Sequence, residues 1–329
     1  MSDFIQSANA LVSRVAKWVG AIPKSTGITA TAYNSTTHVI TVSSTPVGIV
    51  SIGDFVGISP LKGFAVITAV TSSTITVNDP DGMISNSDLP ATLLMLPTQS
   101  TIEITQSIQM GELKMRKLEL PALRTDPYDT VNPVVLTTNE NGMAPIPADM
   151  NWPIFFFQET PNSEVQPGTP ASSLGPWIVY DRVGDREIIR LRMIDQLYIR
   201  PFGVPRVIRA SFSEVGPNYV FTPNPGNNVQ IKAYYIRTFP FLFSPTEDVT
   251  YPLVQSNAVL ASFPEGYFYA TLWAYYDKNK NTDEAQKWLS RLDDAYGLIE
   301  DQMVKDKWSG GDRHLTSEYQ PRGYRYNFK

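Results

Sequence analysis

The feature that most restricts the fold is an abrupt change of composition. From Ser25 to Thr98, 23 of 74 residues are Ser or Thr, with one basic residue (Lys62) and four acids (Asp54, Asp79, Asp81, Asp88). Ser and Thr side chains compete for backbone hydrogen bonds, and β-branched residues lose rotamer freedom in a helix, so this stretch is a poor helix former. It supports alternation instead. His38-Val39-Ile40-Thr41-Val42, Asp54-Phe55-Val56-Gly57-Ile58, Phe64-Ala65-Val66-Ile67 and Thr74-Ile75-Thr76-Val77 are separated by Gly, Pro, Asn and Ser clusters. Period-two runs between such breakers predict a small antiparallel β-module of four to six strands over 27–98.

The two ends of the chain follow a different rule. Phe4, Ile5, Ala8, Leu11, Val12, Val15 and Val19 fall at helical spacing, with Ser2 or Asp3 as N-cap and Gly20 and Pro23 as stops, predicting a helix of about five turns. Near the other end, Ser262-Phe263-Pro264-Glu265 has the form of a capping box opening the helix YFYATLWAYY. Asn281-Thr282-Asp283-Glu284 opens a second helix, whose apolar positions from Ala285 and Trp288 to Met303 hold one face. Only a short connection separates the two, which makes an antiparallel hairpin. Residues 101–118 have mixed periodicity; Ile104, Ile108, Leu113 and Met115 suit a helix while Gly111 weakens it. Between 120 and 239 the chain reads as β-rich, with strand candidates at 133–136, 153–157, 176–180, 188–191, 197–200, 204–212, 219–222 and 229–237. A long Pro-rich loop falls at 160–176.

The fold class that follows is α+β. A helical bundle, built from the N-terminal helix and the C-terminal helical hairpin, accompanies a β-sheet domain and an inserted small antiparallel β-module. The expected division is 1–26 as a helix of the core domain, 27–98 as the insert, 99–309 as the core and 310–329 as an extended arm.

Chemistry is constrained by what is missing. There is no cysteine, which excludes disulfides, thiolate metal sites and thiol nucleophiles. His38 and His314 are the two histidines and are far apart, so no local histidine metal motif exists, and no cofactor or metal is expected. No Walker, G-x-G-x-x-G or G-x-S-x-G sequence occurs. Asp149 and Glu159 flank the run WPIFFF, and Asp293-Asp294 lie on the last helix. For these the plain readings are a local turn bond at Asp149 and a solvated helix face at the pair. His38 and His314 read as surface residues without a partner. The chain is expected not to be an enzyme. No apolar run is long enough to span a bilayer, and a soluble protein made in a reducing cytoplasm is the expectation. The net charge of −5 argues against sequence-specific nucleic-acid binding. It suits a surface past which DNA slides without adhering, because phosphate contacts drive nonspecific affinity.

Two stretches carry more than a core requires. Tyr267, Phe268, Tyr269, Trp273, Tyr275 and Tyr276 crowd one helix on more than one face. They read either as a thick core or as subunit-interface helices, for which Tyr267, Phe268, Trp273, Tyr276 and, on the next helix, Trp288 are the candidates. The segment GGDRHLTSEYQPRGYRYNFK interleaves Tyr319, Tyr324, Tyr326 and Phe328 with Arg313, Arg322, Arg325 and Lys329. From Lys305 onward it holds six basic and three acidic side chains. A frayed terminus, a nucleic-acid contact and a protein-docking arm remain open for it.

The ordered fragments point to a family. SIGDFVGISPLKGFAVITAVTSSTITV resembles small β-modules of phage structural proteins. Ile146-Pro147-Ala148-Asp149-Met150, Val204-Pro205-Arg206-Val207-Ile208, Tyr219-Val220-Phe221-Thr222-Pro223-Asn224-Pro225 and Val229-Gln230-Ile231-Lys232-Ala233-Tyr234-Tyr235 come next. Val259 to Ala274 with Pro264-Glu265, then Asp283, Glu284 and Trp288, complete the set. In this order they resemble the head-to-tail adaptor (connector) proteins of tailed bacteriophages, across 146–329; the module at 27–98 is not part of the usual pattern.

The resemblance implies a structural virion protein at the head–tail neck, assembled in the host bacterial cytoplasm. It implies a homo-oligomeric ring, commonly a dodecamer, below the portal protein, bearing the tail nozzle or tube and giving passage to viral DNA without gripping it, with no membrane partner. Arg313, Tyr319, Arg322, Tyr324, Arg325, Tyr326 and Phe328 would form the portal-docking arm. The alternative is a tail-associated glycan- or receptor-binding module anchored to the virion; the few aromatics of 27–98 (Tyr33, Phe55 and Phe64) speak against it.

Overall fold

The first helix, α1 (Ala8–Trp18), begins later than its apolar spacing suggests. A computed structural model describes residues 5–118, 120–125, 134–158, 177–182, 207–244 and 252–308. Within these, Ser7 is the N-cap, its side chain accepting from the Ala10 amide at 3.1 Å, in place of the expected Ser2 or Asp3. Apolar periodicity marks which residues share a face, whereas a cap is set by which hydroxyl meets the free amides of the first turn. Ala8, Leu11, Val12, Val15 and Ala16 form the buried face.

Six strands follow: β1 (Lys24–Asn34), β2 (Val39–Val42), β3 (Phe55–Ile58), β4 (Ala65–Val70), β5 (Thr74–Asn78) and β6 (Ala91–Met95). They close into an all-antiparallel barrel in the order β1-β2-β5-β4-β3-β6. Closure leaves no free edge to template aggregation. The interior is aliphatic, with Ile28, Ile40, Val56, Ile58, Ile67, Ile75, Val77 and Leu93 buried. Each such side chain contributes about 1.5–3 kcal/mol of burial before chain entropy is set against it. Lys24 pairs with Met95, so the barrel begins and ends at one place.

The barrel is tied to α1. The Ser7 hydroxyl donates to Asp81, Asn9 Nδ2 donates to the Asn78 carbonyl at 2.6 Å, and the Phe64 amide donates to Ser13 Oγ at 2.8 Å. The remaining helices are α2 (Thr98–Met115), α3 (Ala258–Ser262), α4 (Pro264–Lys278) and α5 (Thr282–Trp308). The Ser262 capping box does not form. The Ser262 hydroxyl instead donates back to Ala258 O at 2.8 Å, closing α3, while Phe263 precedes α4 without a side-chain cap. Glu265 pairs with Arg14 at 2.9 Å rather than reaching back. Asn281 does cap α5, its Oδ1 accepting from the Glu284 amide at 3.3 Å.

Chain contacts divide the molecule into two compact units, 1–124 with 236–298 and 125–235 with 299–329. The second is built on a seven-stranded sheet. Its strands are β7 (Val135–Thr137), β8 (Met143–Pro145), β9 (Met150–Gln158), β10 (Trp177–Arg182), β11 (Val207–Val215), β12 (Asn218–Thr222) and β13 (Gln230–Arg237). They lie in the order β7-β13-β9-β10-β11-β12-β8. β10 and β11 run parallel, an arrangement that a tight hairpin cannot make. The strand candidates at 188–191 and 197–200, and the loop 160–176, lie outside the described residues. The two edge strands β7 and β8 are consecutive and touch, so the sheet curls round on itself. Its core is aromatic: Phe156 meets Phe212, Tyr219 and Phe221 at ring separations of 4.7, 5.0 and 5.4 Å. Edge-to-face pairs of this kind add about 0.5–1.5 kcal/mol each beyond their buried area.

Candidate assembly surfaces

The helical layer of the first unit explains why α4 is apolar on most of its circumference. On one side it meets α2. A β-carbon on Gly111 would lie 2.9 Å from Ala270 C, 3.0 Å from Thr271 N and 3.1 Å from Ala270 O, all backbone atoms. Gly111 therefore belongs to the helix 98–115 because only hydrogen fits between the two backbones. On its other side α4 meets α5: the Trp288 ring lies 6.0 Å from Phe268 and 5.8 Å from Tyr269, and Trp18 of α1 closes the cluster at 5.4 Å from Trp288. Helix residues advance by about 100° each, so Ala270 and Thr271 stand about 200° on from Phe268 and Tyr269. The order across the layer is α2, α4, α5.

Of the candidate interface residues, Tyr267, Phe268 and Trp288 are buried within the protomer, while Trp273 and Tyr276 are half-buried. The Lys114 ammonium lies 5.5 Å from the Trp273 ring centroid. Apolar side chains stand in water at both ends of the layer. Met110 and Leu113 on α2 are 52% and 37% exposed, and Leu298 on α5 is 71% exposed. On the barrel, the loop between β2 and β3 exposes Val47, Ile49 and Ile52.

At the heart of the layer lies an acid that sequence reasoning missed. Glu112 is fully buried, and its Oε1 accepts from the Leu242 amide at 2.6 Å and from the Tyr267 hydroxyl at 3.1 Å. Asn257 Nδ2 donates in turn to the Tyr267 oxygen at 2.8 Å, while Asn257 Oδ1 caps α3 through the Leu260 amide at 2.7 Å. Burial pushes the Glu112 carboxyl up to about 8, against the opposing pull of the Leu242 amide and the Tyr267 hydroxyl. Burial, and secondarily Glu112, likewise raises the Tyr267 phenol. The one sequence signal was position: Glu112 continues the stripe Ile104–Ile108 by one more step of four.

The candidate acids and histidines are not assembled for catalysis. Asp149 accepts from the Tyr235 hydroxyl at 2.8 Å, a long-range sheet contact. Asp293 and Asp294 face solvent, as expected. For His38 the alternation predicts a strand position without a partner. It sits in the turn before β2 at φ 53°, with Nδ1 2.9 Å from the Tyr33 hydroxyl. Alternation cannot reveal that turn, because Thr37-His38-Val39 alternates as a strand does. Glu159 and His314 lie outside the described residues, as do Arg313, Tyr319, Arg322, Tyr324, Arg325, Tyr326 and Phe328. Among the described residues, no three His, Cys, Asp or Glu side chains gather closely enough to hold a metal ion, and no helix is long and apolar enough to cross a membrane. Tyr33, Phe55 and Phe64 are all buried, leaving the barrel none of these rings as a stacking platform for sugar.

A closed barrel, a helical layer and a second β-unit, with apolar side chains left exposed at both ends of the layer, are the parts of a protein that assembles with others. The family model described as SU10 adaptor protein matches residues 64–315, well over half of the chain, and the chain belongs to that family. Its role is structural, that of a virion head-to-tail adaptor, and it is not an enzyme. The match is wider than the fragments from 146 onward. It begins at Phe64, just before β4, and so takes in half of the barrel that those fragments leave out. No curated protein matches the chain.

Proposed function

We propose that this adaptor assembles as a closed ring, a dodecamer by family resemblance, beneath the portal protein at the virion neck, after synthesis in the host cytoplasm. The ring carries the tail nozzle or tube and lets viral DNA through without binding it. The observation that carries this reading is the family match, joined to apolar side chains left exposed at both ends of the helical layer. A cyclic ring is a heterologous assembly in which every copy offers two different surfaces. The acidic balance of −5 agrees with a channel that does not hold phosphate. In this reading 27–98 is an insert in a core made of 1–26 and 99–309. Residues 310–329 are the arm that docks on the portal through Arg313, Tyr319, Arg322, Tyr324, Arg325, Tyr326 and Phe328. Such an arm reaches about 60 Å when extended. Deleting Gly310–Lys329 is expected to leave the protomer folded and to abolish its co-sedimentation with portal; retained attachment removes the arm from the interface.

A further inference from the structure

We infer that the ring is closed by one specific pairing: the outer face of α2 and the turn that ends it in one copy, with Met110, Leu113 and Lys117, receives the outer face of α5 in the next, with Asp293, Asp294 and Leu298. This rests on the ring reading and goes beyond it by assigning both halves of the contact. Three observations carry it. First, the two faces sit at opposite ends of the layer, because α4 meets α2 through Ala270 and Thr271 and meets α5 through Phe268 and Tyr269, about half a helical turn away. Opposite, unlike faces are what a head-to-tail ring requires, whereas a twofold dimer would use one face twice.

Second, the charges are complementary. The end of α2 carries Lys114, Arg116 and Lys117, none in an ion pair among the described residues, and Arg116 and Lys117 are exposed. Asp293 and Asp294 on α5 are exposed and equally unpaired, whereas Glu284 and Lys287 of the same helix pair with each other at 3.1 Å. Third, each charged group borders apolar area that water still touches, Met110 and Leu113 on one side and Leu298 on the other. Exposed apolar side chains ringed by charge are the ordinary anatomy of a contact with a dry centre and a polar rim. A second copy of this chain supplies both halves at once.

The test uses the full-length chain and two charge reversals, Arg116→Glu/Lys117→Glu and Asp293→Lys/Asp294→Lys. All four side chains are exposed, so far-UV circular dichroism and the unfolding midpoint should match wild type, which checks that each variant folds. Each variant alone should lose ring particles at least about tenfold at moderate salt, because like charges then face each other across the contact. Mixing the two should restore rings, since the acidic α2 end of one variant then meets the basic α5 face of the other. The four-fold swap in a single chain should restore them as well. Ring formation by either folded variant alone, or no recovery on mixing and in the four-fold swap, overturns the pairing while leaving the ring intact. A wild-type chain that forms no ring, alone or with portal, overturns the ring reading itself.

Discussion

The barrel and the helical layer lie in one compact unit but finish their hydrophobic surfaces differently. The barrel closes on itself: every strand has two neighbours, and its interior is aliphatic apart from Tyr33, while Phe55 and Phe64, next in sequence to Val56 and Ala65 of that interior, are buried outside it. Only the loop carrying Val47, Ile49 and Ile52 leaves apolar area outside. The helical layer is open at both ends, with Met110 and Leu113 exposed at one and Leu298 at the other, and with charges of opposite sign beside them. A body that is complete alone and a body that is not have different uses. The first is an attachment that can be carried; the second is the part whose completion requires neighbours.

The sharpest way to break this contrast is to remove the barrel. Lys24 and Met95 are paired, so a short Gly-Ser linker can replace 25–95 with little strain. The helical signal should survive, with stability reduced by the loss of three hydrogen bonds from α1, at about 0.5–1.5 kcal/mol each. Circular dichroism with urea unfolding reads both. Collapse of the helices would show that the barrel is integral to the layer.

A smaller effect is expected at the α2–α4 contact. Gly111→Ala gains helix propensity but drives its methyl against the Ala270–Thr271 backbone, which has no rotamer to yield. Overpacking of this sort costs about 1–3 kcal/mol, so the urea midpoint should fall. A rise would mean that the two helices lie farther apart than described.

A further effect is one of pH. Glu112 ionises near 4.5 in an unfolded chain and near about 8 when folded, so the folded state holds the proton more tightly. Its contribution is fully present below about pH 4.5, declines as pH rises and is gone above about 8. Glu112→Gln should flatten that decline, measured as urea midpoints across the range. An unchanged slope would place the titration on another group.

The barrel was legible where one strand face meets water, so that alternation in β2 and β5 maps directly onto burial, whereas β3 and the start of β4 are buried on both faces. The hairpin of α4 and α5 was equally plain, since Asn281 caps where its position suggests. Legibility failed where a residue's role depends on a distant partner. Gly111 weakens the helix as an isolated residue and is required by the backbone of α4. Ser262 fits a capping pattern but bonds to the turn behind it. Tyr219 and Phe221 read as strand residues without betraying the aromatic core they share with Phe156 and Phe212. Lys114, Arg116 and Lys117 look like an ordinary solvated helix end until α4 sets α2 and α5 on opposite sides.

The absence of cysteine makes one measurement especially direct. With Leu113→Cys and Leu298→Cys in the same chain, mild oxidation of assembled particles should give a ladder of covalent multimers on a denaturing gel, running up to the ring size. Ile52→Cys on the barrel loop should give none. Assembled rings that give no ladder from the helical pair, or a covalent dimer (the most one thiol per chain allows) from Ile52→Cys, would contradict the view that the open helical layer joins neighbouring copies.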